Sequence, residues 1–313
     1  MHDVSELEVF FNPKSVAIVG ASADPKKPGN TAMKNLVSMG YKGKVFPINP
    51  REKKILGFRC YDNLLEIPEQ VDLCVFLVSA ELTMKVSREL AERKARFKDV
   101  KGAVCMSAGF RELNTTEAKQ REKELVQTLR NASIRLIGPN CLGIIDTYSG
   151  FNTNFDIPSY KKGGLSIATQ SGAFANSYLF WSGGLGLVGL SKYASIGNMA
   201  DVSMAELLQL WKDDESTRVI GIYMEGLANP EEFFDIAREV NAVKPVVVLK
   251  SGKSALGSTA ALSHTGAIAG SDAVYDRDFK RAGIIRTRSV SEFYDTLRVF
   301  EKQPLPGSYC RAL

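Results

Sequence analysis

Short apolar runs alternate along this chain with longer segments in which apolar residues recur every three or four positions. Near-continuous apolar runs are typical of strands covered on both faces of a parallel sheet, and the longer spacing is typical of amphipathic helices. In the first half, the pattern predicts strands at residues 16–19, 44–48, 71–78, 102–106 and 134–137 and helices at 31–39, 82–97 and 112–130.

The alternation stops at residues 147–164, a stretch with no clear period that contains Asn152, Asn154 and Pro158, and this predicts a linker. Strands that alternate with helices favour parallel, doubly wound sheets, which bind ligands at the carboxyl ends of their strands. We therefore expect an α/β protein with two domains, residues 1–147 and 148–313. Beyond the linker, the pattern predicts strands at 165–169, 219–224 and 245–249 and helices at 172–181, 201–211, 230–240, 271–282 and 291–302.

Composition narrows the class of ligand. The 313 residues are 44% hydrophobic and 24% charged, which is ordinary for a globular protein, and the net charge of +5 is spread rather than clustered. We expect a small polyanionic ligand rather than nucleic acid. No apolar run reaches the roughly 18 residues of a membrane span, and the amino terminus has no signal pattern. The five cysteines show no close pairing, which predicts reduced thiols and a cytoplasmic location.

The first glycine-rich turn, residues 20–29, follows the first predicted strand. A turn of small residues before a helix presents backbone N–H groups to phosphate, and Lys26 adds positive charge. Ser22 stands where a dinucleotide fingerprint has its second glycine, and the second strand is followed by residues 49–51 rather than by an acidic residue. The turn therefore favours a phosphorylated ribose, met by Arg51 or a lysine, over NAD. The alternative interpretation is a purely structural turn.

Three further turns follow predicted strands. Those at residues 107–110 and 138–143 each favour a tight loop when taken alone, but with the first turn they outline the rim of one crevice. The turn at 169–173 puts Ser171 and Gly172 at a helix N-terminus, which is a ready anion site. It lacks the two glycines that a nucleophile elbow requires.

The chain has two histidines, and since His2 lies beside the terminus, His264 is the serious candidate for imidazole chemistry. It lies in a segment of small and hydroxyl-bearing residues, 263–270, where backbone N–H groups can approach an anion. Glu225 ends a predicted strand, so it would face the ligand crevice, although a solvated cap residue is the alternative. An ionised Glu225 beside His264 would set the tautomer of the ring and make one nitrogen more nucleophilic.

An ordered set of segments resembles the nucleoside-diphosphate-forming acyl-CoA synthetases, close to the α-subunit core of the ADP-forming acetate–CoA ligases and more distantly the α subunit of succinyl-CoA synthetase. The resemblance implies a Rossmann-like coenzyme A-binding domain followed by a flavodoxin-like domain with a phosphohistidine loop. It implies a ligase that interconverts acyl-CoA, phosphate and NDP with acid, coenzyme A and NTP through an acyl phosphate and a phosphohistidine. The segments are residues 16–22, 45–50, 107–110, 137–143, 170–173, 225–226, 249–254 and 263–266.

The same resemblance implies roles for individual residues. His264 would be phosphorylated, Glu225 would hold its ring, and Gln170, Ser171 and Gly172 would bind the phosphoryl group. We assign no metal ligand in this chain, because the resemblance implies an ATP-grasp β subunit or domain that binds the Mg-nucleotide, ATP or ADP. The residues that would contact coenzyme A are Gly20, Ala21, Ser22, Lys26, Asn49, Pro50, Arg51, Val78, Ser79, Ser107, Gly109 and Asn140.

Two alternatives stay open. One is a non-catalytic or regulatory protein that binds coenzyme A or acyl-CoA, and the intact set of His264, Glu225 and residues 170–172 argues against it. The other is an NAD-dependent oxidoreductase, which the missing acidic residue after the second strand disfavours. Asn140, residues 153–155 and Ser171 are expected near the acyl group and are mostly neutral, so we expect a small, uncharged monocarboxylic acid as the substrate.

Overall fold

The computed structural model of the chain describes residues 4–156, 160–185, 188–252 and 272–304. Its first part contains a five-stranded sheet with helices on both faces and a small hairpin beside it. The elements are β1 (Ser15–Val19), α1 (Pro28–Ser38), β2 (Lys44–Ile48), β3 (Lys54–Ile55), β4 (Phe58–Arg59), β5 (Leu73–Phe76), α2 (Ala80–Phe97), β6 (Gly102–Cys105), α3 (Thr116–Asn131) and β7 (Arg135–Ile137).

The five strands of this sheet are all parallel and lie in the order β2-β1-β5-β6-β7. Every residue of β1, β5 and β6 is buried, which explains their near-continuous apolar sequence. The chain leaves β1 towards β2 on one side and later returns to β5 on the other. The two directions of winding separate between β1 and β5, and ligands of such sheets bind outside the carboxyl ends of the strands at this switch point.

Local signals explain where the helices begin. Ser79 caps α2 by accepting a hydrogen bond from the N–H of Leu82 at 3.4 Å, and Thr115 caps α3 in the same way. The sequence prediction that the third helix starts at residue 112 is wrong. Residues Arg111–Leu113 form a separate 3₁₀ turn, and Asn114 has a left-handed φ of 54°, so the helical path is broken before Thr116.

The second part contains a seven-stranded mixed sheet in the order β14-β13-β12-β10-β11-β8-β9. Its strands are β8 (Ile144–Asp146), β9 (Phe151–Asn152), β10 (Lys162–Thr169), β11 (Leu190–Ser195), β12 (Val219–Met224), β13 (Val246–Lys250) and β14 (Ile285–Thr287). Its helices are α4 (Gly172–Leu185), α5 (Met204–Lys212), α6 (Pro230–Asn241), α7 (Asp272–Arg281) and α8 (Val290–Lys302).

Strands β14, β13, β12, β10 and β11 are parallel and have the same winding order as the first sheet, with the switch point between β10 and β12. This is the flavodoxin-like order, and it confirms the expected fold class. The sequence pattern missed β8, β9, β11 and β14. At one edge β8 pairs antiparallel with β11, and β9 pairs antiparallel with β8. The second sheet therefore already includes Ile144–Asp146, and the domain boundary at residue 147 stays a prediction.

The two parts pack on each other through a shared core and a cluster of ion pairs. One buried apolar cluster includes Val104 of β6 and Ile222 of β12. Arg135, at the start of β7, forms ion pairs with Asp201 at 3.0 Å and Glu206 at 2.8 Å. Asp201 precedes α5, and Glu206 lies in its first turn. Asp201 also accepts a hydrogen bond from the backbone N–H of Leu136 at 2.8 Å. Among the described helices, none combines the length and apolar character needed to cross a membrane.

Candidate active site

The loops after β1 and β5 cross closely at the switch point of the first sheet. Gly20 has a φ of +90°, and a Cβ at this position would lie 2.4 Å from the carbonyl oxygen of Leu77 and 2.9 Å from Val78. Only glycine fits both the backbone angle and the close approach. Asn49, after β2, donates from its Nδ2 to the carbonyl of Ala21 at 2.8 Å, so three of the predicted coenzyme A segments form one wall.

The start of α1 has the properties of an anion site. Lys27 is its N-cap residue and Pro28 its first residue, and no side chain caps the free N–H groups of this helix. Lys26 and Lys27 are exposed beside it. The preceding turn is rigid, because the buried Ser22 accepts a hydrogen bond from the N–H of Asp24 at 3.1 Å and its carbonyl accepts one from Asn30 at 2.8 Å. Backbone donors and two ammonium groups around a rigid turn fit a phosphate group.

Several residues that are predicted to contact coenzyme A also form hydrogen bonds within their own loops or to neighbouring elements. Pro50 and Arg51 are exposed on the loop after β2, and the N–H of Arg51 donates to Asn49 at 2.9 Å. The Ser107 hydroxyl is buried and hydrogen bonded to Thr83 at 2.7 Å. Together with the capping role of Ser79, this indicates that the two serine hydroxyls stabilise the loops, and that the loop backbone is left to face a ligand.

Asn140 lies at the junction of the two parts. It has a left-handed φ of 58°, and its N–H donates to the carbonyl of Ser107 at 3.0 Å. Its Nδ2 donates to Oδ1 of Asn198, which follows β11, at 3.3 Å. The next residue, Cys141, is fully enclosed, and burial raises its thiol pKa to about 12. Cys141 is therefore protonated at neutral pH and is not a nucleophile for acyl transfer.

Gln170 and Glu225 meet at the switch point of the second sheet. Oε1 of Gln170 accepts hydrogen bonds from the N–H groups of Glu225 at 2.5 Å and Gly226 at 3.1 Å. Its Nε2 donates to the carbonyl of Gly226 at 2.9 Å. The amide of Gln170 thus holds the backbone of residues 225–226, whereas the sequence analysis expected it to contact a phosphoryl group.

Ser171 and Gly172 form the start of α4, as predicted. The hydroxyl of Ser171 accepts from the N–H of Phe174 at 3.4 Å, and the hydroxyl of Thr169 holds the Ser171 backbone. A Cβ at Gly172 would lie 2.3 Å from Cγ of Leu142, so glycine lets the helix start approach the 138–143 loop of the first sheet. The start of α4, the predicted anion site, therefore borders the junction that contains Asn140.

His264 lies outside the described residues, as does the segment around it. Thr153 and Asn154, expected near the acyl group, are 0% exposed. Thr153 is hydrogen bonded to Ile144, and Asn154 donates to Asn176 at 3.1 Å. Both side chains are committed to internal contacts, which leaves Asn140, the partly buried Phe155 and Ser171 as the described residues at the expected acyl position.

The sequence motifs did not indicate the residues that join the two crevices, above all Asn198 and Glu112. Asn198 donates to Glu112 and Glu122 of the first part, each at 2.7 Å. Glu112 in turn accepts from the N–H groups of Gly109 at 2.6 Å and Phe110 at 3.0 Å. The one available signal was Gly197 followed by Asn198, a pair that is typical of a turn after a strand.

The fold and these crevices define a two-part α/β protein that has a helix start at the switch point of each of its sheets. Two family models match the chain, one in each part. Residues 14–147 match the model of the CoA binding domain, and residues 162–300 match the model of the succinyl-CoA ligase like flavodoxin domain.

Named relatives give the same result. The chain is 42% identical over 304 residues to the α subunit of the ADP-forming acetate–CoA ligase I of Pyrococcus furiosus, an alignment that covers 96% of this chain and 64% of the relative. It is 44% identical over 289 residues to the ADP-forming acetate–CoA ligase I of Archaeoglobus fulgidus, which covers 92% of this chain and 41% of the relative. The chain thus spans about two fifths to under two thirds of the length of these relatives.

A solved structure matches over the same extent. The dinucleotide-forming acetyl-coenzyme A synthetase 1 of Candidatus Korarchaeum cryptofilum, in complex with phosphate and ADP, has a TM-score of 0.90 and 35% identity, over 96% of this chain and 64% of that chain. The chain belongs to the NDP-forming acyl-CoA synthetase family. The resemblance drawn from the sequence motifs is confirmed.

Proposed function

We propose that the chain is the α-subunit-like core of an NDP-forming acid–CoA ligase. The reaction is acyl-CoA + phosphate + NDP ⇌ acid + coenzyme A + NTP, through an acyl phosphate and a phosphohistidine. The relatives named as ADP-forming acetate–CoA ligases and as a 4-hydroxybutyrate–CoA ligase support this class of reaction. They do not favour the non-catalytic alternative.

One observation carries the proposal: Glu225 and the N-terminus of α4 lie at the same switch point of the second sheet. Gln170 begins the loop after β10 and is hydrogen bonded to the backbone of Glu225 after β12. A carboxylate and a helix start at one edge of the sheet can act on an imidazole and on a phosphoryl group together. The first would orient the ring, and the second would stabilise the transferred charge.

His264 is the proposed phosphoryl carrier, and Glu225 the proposed group that holds its ring. Gly172 would offer its backbone N–H group to the phosphoryl oxygens, and Ser171 would donate from its hydroxyl, because the Ser171 N–H is already bonded to Thr169. Gln170 would contribute through Glu225 rather than by direct contact. Phosphoryl transfer needs positioning and charge stabilisation more than covalent assistance, which these groups can supply.

The proposed coenzyme A contacts belong to the first crevice. The close crossing at Gly20 and the uncapped start of α1 with Lys26 support a phosphate contact. Asn140 and Gly109 would lie near the thiol end. When bound, coenzyme A supplies the thiol that leaves or attacks the acyl group.

The nucleotide requires a partner in this proposal. We propose an ATP-grasp β subunit or domain that binds Mg-ATP or Mg-ADP, since relatives of this chain are named as α subunits. The cytoplasm is the proposed location, in keeping with four buried free cysteines among the described residues. A small, uncharged monocarboxylic acid is the proposed substrate.

In this proposal, formation of the phosphohistidine from acyl-CoA and phosphate does not need the partner. This half-reaction can therefore be tested on the chain alone. The full chain is incubated with acetyl-CoA and ³²P-labelled phosphate, which should release coenzyme A and leave acid-labile, base-stable label on the protein. His264→Asn should abolish the label, and the matched variant His2→Asn should keep it. Label that persists in His264→Asn would show that another residue is the carrier. Label obtained only with succinyl-CoA would refute the proposed class of acid.

A further inference from the structure

A closed ring of hydrogen bonds links the first crevice to the second sheet. Asn140 donates from its backbone to the carbonyl of Ser107 at 3.0 Å and from its side chain to Asn198 at 3.3 Å. Asn198 donates to Glu112 at 2.7 Å, and Glu112 accepts the N–H of Gly109 at 2.6 Å. Because Ser107 and Gly109 share one loop, the ring closes. Three of its five members are predicted coenzyme A contacts, and Asn198 is the member that comes from the second sheet.

The chemistry of the ring requires an amide at position 198. Nδ2 of Asn198 donates to the carboxylates of Glu112 and Glu122, both at 2.7 Å, and its Oδ1 accepts from Asn140 at 3.3 Å. An amide supplies both the N–H donors and the oxygen acceptor that this position needs. Arg111 balances part of this charge through its ion pair with Glu122 at 3.2 Å. Burial alone would raise the pKa of Glu112, but hydrogen bonds from Asn198 and the N–H groups of Gly109 and Phe110 lower it. Glu112 therefore stays ionised as an acceptor.

The backbone around Asn198 is docked independently of its side chain. Ser195 N–H donates to the carbonyl of Gly143 at 3.1 Å, Asn198 N–H to that of Pro139 at 2.9 Å, and Ala200 N–H to that of Gly138 at 3.1 Å. A Cβ at Gly197 would lie 2.3 Å from the carbonyl oxygen of Asn140, which shows how closely the two segments approach. Removal of the Asn198 side chain leaves these backbone contacts in place, so its effect is local to the ring.

We propose that Asn198 is a positioning residue for coenzyme A: it fixes Asn140 directly, and it fixes the 107–110 loop through Glu112. This inference rests on the proposed function, in which these loops hold the thiol-bearing arm of coenzyme A. Without the amide, Glu112 and Glu122 lose a shared donor, and both loops gain freedom that binding must then remove. Asn198 acts through its neighbours and makes no contact with the reacting atoms.

Calorimetric titration of the full chain with two probes tests this role. The first probe is coenzyme A, and the second is adenosine 3′,5′-bisphosphate, which lacks the pantetheine arm. Asn198→Ala should bind coenzyme A about tenfold more weakly, the effect of one or two lost hydrogen bonds. It should bind the bisphosphate within about twofold of wild type, because the Gly20 turn and α1 are not part of the ring.

Asn241→Ala is the matched control. It also removes a hydrogen-bonded asparagine of the second part, the last residue of α6, which donates to the Gly283 carbonyl at 2.7 Å and accepts from Val246 N–H at 3.0 Å. It should bind both probes as wild type does.

The outcomes separate the two claims. If wild type fails to bind coenzyme A, the proposed function is refuted and the inference with it. If wild type binds and Asn198→Ala binds coenzyme A equally well, the inference alone is wrong. Equal weakening of both probes in Asn198→Ala would also overturn it, since that pattern indicates general loss of structure.

Discussion

The side-chain amide of Gln170 is hydrogen bonded to both backbone N–H groups of residues 225–226 and to the carbonyl of Gly226. Gln170 is 7% exposed, so it is part of the wall behind Glu225 rather than of the surface that meets a ligand. Because the amide contacts the backbone, it sets the position of the Glu225 main chain and, through it, the position of the carboxylate. Both residues follow strands at the switch point, where ligands of such sheets bind.

Substitution at Gln170 should therefore impair phosphoryl transfer through Glu225. Gln170→Met keeps the side-chain length and removes all three hydrogen bonds, and a shift of about 1 Å in Glu225 should slow labelling of the protein about a hundredfold. Gln170→Glu keeps the acceptor for both N–H groups but turns a second oxygen towards the Gly226 carbonyl. Its rate relative to wild type should rise as the pH falls and that oxygen becomes a donor. A ratio that does not change with pH would contradict this arrangement.

Gly172 should not tolerate a side chain while Leu142 is present. Alanine at a helix start would ordinarily be neutral or favourable, but its Cβ would lie 2.3 Å from Cγ of Leu142. We expect Gly172→Ala to lower the free energy of unfolding by about 1–3 kcal/mol, as overpacking does. Adding Leu142→Ala should restore much of that loss in a double-mutant cycle followed by urea unfolding. Strictly additive losses would show that the two residues do not clash.

The ion pair of Arg93 and Asp99 should be a major determinant of stability in the first part. Their side chains are 1% and 0% exposed and 2.6 Å apart, and Arg93 also donates to the carbonyls of Leu64 at 2.6 Å and Ile67 at 3.1 Å. Arg93→Met leaves a buried carboxylate without its cation, and we expect a loss of about 3–5 kcal/mol in urea unfolding. The control is the exposed Arg96, whose replacement by Met should cost less than about 1 kcal/mol.

Asp214 should contribute to the pH dependence of stability. Burial alone would raise its pKa, but hydrogen bonds from Lys192 at 2.8 Å, Thr217 and Ser216 lower it. A carboxyl group with a lowered pKa in the folded state stabilises the protein above its ordinary pKa, and this contribution is lost as the pH falls below about 4. The midpoint of thermal unfolding should therefore fall less steeply with acid in Asp214→Asn than in wild type. The exposed neighbour provides the control variant Asp213→Asn, which should follow wild type.

Much of the architecture could be predicted from the sequence because it depends on local patterns. The buried strands β1, β5 and β6 are almost entirely apolar, and the turns after β1 and β6 contain Gly20 and Gly109, which lie close to neighbouring atoms. Strand β11 was missed for a physical reason: Ser191, Lys192 and Ser195 are buried but polar, and their partners lie elsewhere in the fold. Lys192, for example, pairs with Asp214, so its burial cannot be seen in the local pattern.

The sequence by itself determined which residue types stand at the ends of the strands, and hence the two turns that are proposed to bind anions and the place of Glu225. Only the tertiary structure decided what the side chains there contact. Gln170 holds the backbone of residues 225–226, and Asn198 joins Glu112 to Asn140. These pairs are separated by 55 to 86 positions in the chain. Strand order and the close packing of the two sheets bring them together, and neither is encoded in any short segment.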